Sequence, residues 1–212
     1  MLRSRNTLRN ILLLILPLVL IQCKQPEPGL LSVQKGDHIL LVGNNLGSRM
    51  MNYGFFEAEL QLRYPDSMLY IRNMCDGGNT PGFRPHSGRV TPWPFPGAEK
   101  FQSELANPSD SQGHFESPDD WLDSHEADII IGFFGYSESF EGPEGLDMFK
   151  GELAAFIDHT LAQEYNGESA TKLVLVTPIA FQDISYDFDM PDGVQENKNL
   201  ELYSQAMIEV AG

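Results

Sequence analysis

The chain has 212 residues, 30 acidic and 14 basic, for a formal charge of −16 at pH 7. A surface of that sign repels polyphosphates and anionic headgroups, which excludes nucleic-acid binding and a purely electrostatic hold on a membrane. Two cysteines make neither a disulfide framework nor, alone, a zinc site.

Residues 1–22 read as an export signal. Arg3, Arg5 and Arg9 form a basic n-region, and Ile11 to Ile21 is apolar with Pro17 inside it. That run is short for a bilayer span and has the length of a signal-peptide core. Cys23 follows directly, so the expectation is a bacterial lipoprotein cleaved before Cys23 and lipidated on its sulfur, although Gln22 departs from the small residue usual at that place. Residues 23–35 are then the lipidated cysteine and a tether containing Pro26, Pro28 and Gly29. Loss of three leader arginines takes the charge from −16 to −19. The expected location is the bacterial cell envelope, with membrane contact through the lipid anchor only.

Residues 36–212 are long enough for one domain with a sizeable core. His38 to Val42 is an apolar run between Gly36 and Gly43 and reads as a buried parallel strand. Leu46, Met50, Tyr53, Phe56 and Leu60 recur at helical spacing and predict one helix ending near Arg63. Met68 to Ile71 reads as a second strand and Asn73 to Asn79 as the loop after it. Pro81 to Ser117 has no period but carries Phe83, Trp93, Phe95, Phe101 and Phe115, which favours a packed cover. Ser117-Pro118-Asp119-Asp120 is a helix start, with a capping Ser, Pro at the first position and an acid three residues on.

Ile129 to Phe134 is the strongest strand signal. A glycine-rich acidic loop, Gly135 to Gly145, follows it. Leu146, Phe149, Leu153, Phe156, Ile157 and Leu161 mark a long amphipathic helix. Lys172 to Val176 is a fourth strand, stopped at Thr177-Pro178, and Asn197 to Val210 is a last helix. This order implies α/β architecture: a three-layer flavodoxin-like parallel sheet with helices on both faces. A doubly wound sheet rarely ends on an unpartnered helix, so the last strand is expected to be missing and the product to be truncated and marginally soluble.

In such a sheet, ligands bind at the carboxyl ends of the strands. The loops that reach that edge are Gly43-Asn44-Asn45-Leu46, Asn73 to Thr80, and Gly135-Tyr136-Ser137-Glu138-Ser139. Placed so in an α/β chain, they resemble the SGNH (GDSL-type) hydrolases over roughly residues 36–212. In that family the first loop reads Gly-Asp-Ser-Leu and its Ser is the nucleophile; here Asn44 and Asn45 hold the Asp and Ser places. Asn73, Gly78 and Thr80 match the second-loop pattern, in which Gly78 would give an oxyanion N–H, while Cys75 replaces a Gly. In the third loop Gly135 matches, Ser137 replaces the oxyanion Asn and Glu138 replaces an Asp. The closing Asp-x-x-His has no counterpart.

The resemblance implies ester hydrolysis of an acyl or acetylated-carbohydrate substrate without a cofactor, yet an amide has no hydroxyl or thiolate with which to attack a carbonyl. The chain is therefore expected to be inactive, with Asn45, Gly78 and Ser137 left around a site for a small ester or carbohydrate. The alternative is a non-catalytic carbohydrate- or ligand-binding module, in either case a monomer. Ser48, Ser137 and Ser139 have no evident activating base nearby in sequence. A flavodoxin-like cofactor site would need a Ser/Thr-rich turn where Asn44-Asn45 stands. The five histidines, His38, His86, His114, His125 and His159, show no ligand spacing, so no metal is expected. Asp119-Asp120 reads as helix capping, and Glu138 with Glu141 as a solvated acidic loop.

Overall fold

The computed structural model describes residues 31–84, 93–102 and 116–212. The expected lipidation site Cys23, together with Phe115, His86 and His114, lies outside the described residues. Strand β1 (His38–Gly43) leads into helices α1 (Asn45–Met50) and α2 (Phe55–Arg63) and strand β2 (Tyr70–Asn73). A one-turn helix α3 (Glu99–Gln102), helix α4 (Pro118–Ser124) and strand β3 (Ile129–Phe133) follow. A 3-10 segment (Glu138–Gly145), helix α5 (Leu146–Leu161), strand β4 (Lys172–Val176) and helix α6 (Val194–Ala211) complete the order. The strands pair in parallel in the order β2-β1-β3-β4.

The sheet forms at its centre because β1 and β3 carry nothing charged beyond His38. Side chains alternate across a strand, so each strand feeds two cores. Leu40, Val42 and Ile130 pack with Leu122 of α4, Phe149, Leu153 and Phe156 of α5, and Tyr203, Ala206 and Met207 of α6. Ile39, Leu41, Ile129, Ile131 and Phe133 face the other way, against Leu46 and Met50 of α1 and Phe56 and Leu60 of α2. The sheet thus has helices on both faces. Each such aliphatic side chain removed from water contributes about 1.5–3 kcal/mol. β4 is an edge strand and is half-buried at every position.

Several boundaries differ from expectation for local reasons. The single helix to Arg63 is two, broken where Gly54 takes the left-handed conformation at φ 61° and opens α2. The apolar period survives the break because Met50 and Phe56 still pack on the same side of the sheet, while Tyr53, counted in that period, is exposed. β2 starts at Tyr70, whose N–H donates to the Asp37 carbonyl, two residues after the predicted start at Met68. α6 begins at Val194, after Gly193 at φ 81°. Ser117 caps α4 as expected: Asp120 N–H donates to its Oγ, and Ser117 N–H donates back to the Asp120 carboxylate. The described parts of the long cover are packed, with Phe95 buried and stacked on His159 and Phe83 against Trp93.

Candidate functional site

Three loops meet at the carboxyl edge, and Asn44 ties them together. Gly43 leaves β1 at φ 118°, so close to β3 that a Cβ there would lie 2.2 Å from the Phe133 carbonyl oxygen. Only glycine fits that approach. Asn44 N–H then donates to Phe133 O (2.8 Å), while Asp76 N–H and Asn79 Nδ2 donate to Gly43 O (2.9 and 3.1 Å). The Asn44 side chain is buried; its Nδ2 donates to Asn79 O (3.3 Å) in the second loop and to Glu138 Oε2 (3.1 Å) in the third. Gly135 N–H donates to the same Glu138 oxygen at 2.8 Å.

Asn45 is the first residue of α1 and half-buried at the rim. Its Oδ1 comes within 3.1 Å of where a Cβ on Gly77 would stand, so it sits beside the second loop. Gly78 and Ser137 are brought together: both line a cavity of about 440 Å³ with Thr80, Glu138, Glu152 and Tyr203. Asn45 is not part of that lining. Of the alternative hydroxyls, Ser139 is buried and donates to Tyr136 O (2.7 Å), and Ser48 stays in the first turns of α1.

No described histidine reaches this edge. His38 opens β1 at the opposite end, and His125 lies against it, with its carbonyl 2.7 Å from the His38 ring nitrogen. His159 sits in the last turn of α5, which starts at the carboxyl edge and runs back, and it pairs with Asp119. Cys75, in the second loop, is buried, and burial pushes its thiol up to about 12, which removes it as a nucleophile at neutral pH. Its Sγ lies 2.3 Å from where a Cβ on Gly47 of α1 would stand.

Glu138 corrects the sequence reading. It is not a solvated loop acid: it is 8% exposed, the first residue of the 3-10 segment that Tyr203 of α6 pins by donating to Gly142 O (2.9 Å). Burial first, and then the neighbouring Glu152 charge, hold its carboxyl up at about 8, against the lowering pull of its own backbone N–H and of the Gly135 and Asn44 donors. Glu152 of α5, also buried, is raised by burial to about 7, offset in part by the Thr80 hydroxyl (2.7 Å) and the Arg84 charge. Sequence reasoning missed both acids. Position 152 lies on the predicted α5 helix between Leu153 and Lys150, where an acid ordinarily faces water. Among the described residues no group of three or more His, Cys, Asp or Glu side chains is placed to hold a metal ion.

No family model matches the sequence, and no curated protein is similar to it. Solved structures are. An acetylxylan esterase from Geobacillus stearothermophilus is 14% identical, with a TM-score of 0.48 over 86% of this chain and 76% of that one. A protein from Slackia heliotrinireducens provisionally assigned to the SGNH hydrolases is 12% identical, with a TM-score of 0.45 over 84% and 77%. A gut microbial diltiazem-metabolizing enzyme is 13% identical, with a TM-score of 0.49 over 86% of this chain, which spans 36% of that one. A further solved chain reaches 0.51, at 13% identity, over 83% and 79%.

The fold is α/β, a parallel four-stranded sheet in the order β2-β1-β3-β4 with helices on both faces. Identities this low speak of architecture alone. The first, second and third loops stand together at one edge of the sheet, and Asn44 Nδ2 joins them by donating to Asn79 O in the second and to Glu138 Oε2 in the third.

Proposed function

We propose that this chain is a catalytically silent SGNH-like domain whose carboxyl-edge cavity binds a small ester or carbohydrate ligand without hydrolysing it. One observation carries the reading: amides stand at both first-loop positions, and no described imidazole lies at that edge to serve as base. Without nucleophile and base the acyl-enzyme route is closed, and oxyanion donors with binding alone leave only a modest acceleration. The three loops are tied to one another by hydrogen bonds, and a cavity of small-molecule size beside them supports recognition.

The test is p-nitrophenyl acetate turnover and labelling by an alkyl fluorophosphonate, paired with calorimetric titration of acetylated and free oligosaccharides. The expected outcome is no turnover above the protein-free rate, no label, and saturable binding. Turnover or labelling that disappears in Ser48→Ala or Ser137→Ala would overturn silence; absence of any binding would overturn the ligand site.

We also propose that the domain is exported and held at the bacterial envelope by lipid on Cys23. The basic n-region, the apolar core and the cysteine directly after it support this. Metabolic labelling with radioactive palmitate should mark the wild-type chain and not Cys23→Ser; equal labelling of both would refute it.

A further inference from the structure

The third loop has a second side. Ser137, Glu138 and Glu141 line the cavity described above, whereas Tyr136, Ser139 and Phe140 line a separate pocket of about 180 Å³ against the first turns of α6. Three rings wall this pocket, Tyr136, Phe140 and Phe181, and Tyr136 meets Phe140 edge-on at 5.4 Å. The half-buried Glu196 of α6 lines it too and forms no ion pair among the described residues. Rings beside a carboxylate attract a cation through the ring quadrupole and the charge together.

The wall is held in place. Phe181 N–H donates to Asn197 Oδ1 (2.7 Å), and Asn197 Nδ2 donates to Phe181 O (2.9 Å). A Cβ on Gly193 would lie 3.0 Å from the Phe181 ring. The two ends of the loop 182–192 therefore meet at the pocket, and the loop stands out between them. On it Tyr186 and Phe188 are 76% and 62% exposed, and Met190 is exposed as well. Asp183, Asp187, Asp189 and Asp192 are interspersed with them, and no Lys, Arg or His occurs between Lys172 and Lys198. Asp183 takes donors from Ser185, and Asp192 accepts from Val194 N–H, where it offsets the positive end of α6. None of the four forms an ion pair among the described residues. Large apolar side chains left in water among charges of one sign mark a contact surface.

We propose that this corner docks a basic, apolar segment of a partner protein. One Lys or Arg side chain enters the pocket beside Glu196, and the apolar side chains of the segment cover Tyr186 and Phe188. Charge selects the occupant. A second copy of this chain brings a formal −16 to a surface of the same sign, and nucleic acid or an anionic bilayer is repelled likewise. A neutral sugar stacked on the rings would hold without dependence on salt, which separates it from a cationic segment. The docking is independent of what the larger cavity binds.

Fluorescence anisotropy with three labelled nonapeptides tests this on the purified chain: one alternates lysine with leucine, one glutamate with leucine, and one lysine with serine. Expected is saturable binding of the lysine–leucine peptide, at least about tenfold tighter than either of the others and weaker at high salt. Phe140→Ala should weaken it by about two- to fivefold, the scale of an exposed cation–ring contact, and Glu196→Gln by a similar factor. Tyr186→Ser together with Phe188→Ser should bring it down to the lysine–serine level. Phe55→Ser, an exposed ring of α2 outside this corner, should leave affinity and thermal melt unchanged. No binding, equal binding of the glutamate–leucine peptide, or wild-type affinity in the Phe140 and Tyr186/Phe188 variants overturns the proposal. Displacement of the peptide by cellobiose, equally at low and high salt, makes the pocket a sugar site and overturns it as well.

Discussion

Replacing Glu138 by Gln tests the burial of this acid directly, because it removes one ionisable proton and keeps the shape. In the unfolded chain the carboxyl ionises near its ordinary 4.5; in the fold it keeps its proton to about 8. Between those values the unfolded state binds fewer protons than the native state, so wild-type stability from this group falls as pH rises from about 4.5 to about 8, and is level above. At about 1.4 kcal/mol for each pH unit in that window, the loss is on the order of 5 kcal/mol. The Gln variant has no such loss, and its amide oxygen can keep the two donors of Oε2. Urea unfolding, followed through Trp93 and Trp121 fluorescence, should show the two proteins close together at about pH 4.5. The variant should be more stable by about 3–5 kcal/mol at about pH 9, on the scale expected for relief of a buried charge. Parallel stability curves, or a variant weaker than wild type at alkaline pH, would refute the burial of this acid and the cost assigned to it.

Asn45→Ser restores a hydroxyl at the family's nucleophile position but no base; p-nitrophenyl acetate turnover should stay at background, and turnover clearly above it would show that the rim activates a serine after all. Gly43→Ala should lose more than about 3 kcal/mol, since its methyl meets the Phe133 carbonyl at 2.2 Å. Gly54→Ala, with open space around it, should lose only the left-handed backbone cost of about 1–2 kcal/mol; thermal melts that rank the two the other way would count against this geometry. Ser117→Ala should cost about 1 kcal/mol through the lost cap of α4, read from the same melts.

The strands were legible because their side chains have nowhere else to go. Ile129 to Phe133 is uncharged on both faces, and only a central parallel strand hides both. Lys172 to Val176 was bounded as well by the helix-breaking Thr177-Pro178 after it. The break at Gly54 was less legible, because helical spacing continues through it on the buried side while the exposed side carries no signal. The rim was half legible. Gly78 and Ser137 line one cavity, and Asn45 stands beside Gly77 in the second loop. The decisive side chain, Glu138, looked like one more acid in a polar loop. Its burial is imposed from afar: by Asn44, 94 residues earlier, and by the 3-10 turn that Tyr203 anchors from α6. Nothing in the spacing of Gly135 to Gly145 encodes those partners.

The sulfur of Cys75 fills the place that a side chain at position 47 would take, so no reagent can be added to it while α1 remains seated. The rate at which a maleimide couples there therefore counts how often that helix lifts from the sheet. The unaltered protein thus carries its own stopwatch for the opening of the first rim loop, and a bound ligand that steadies the rim would be seen to slow it.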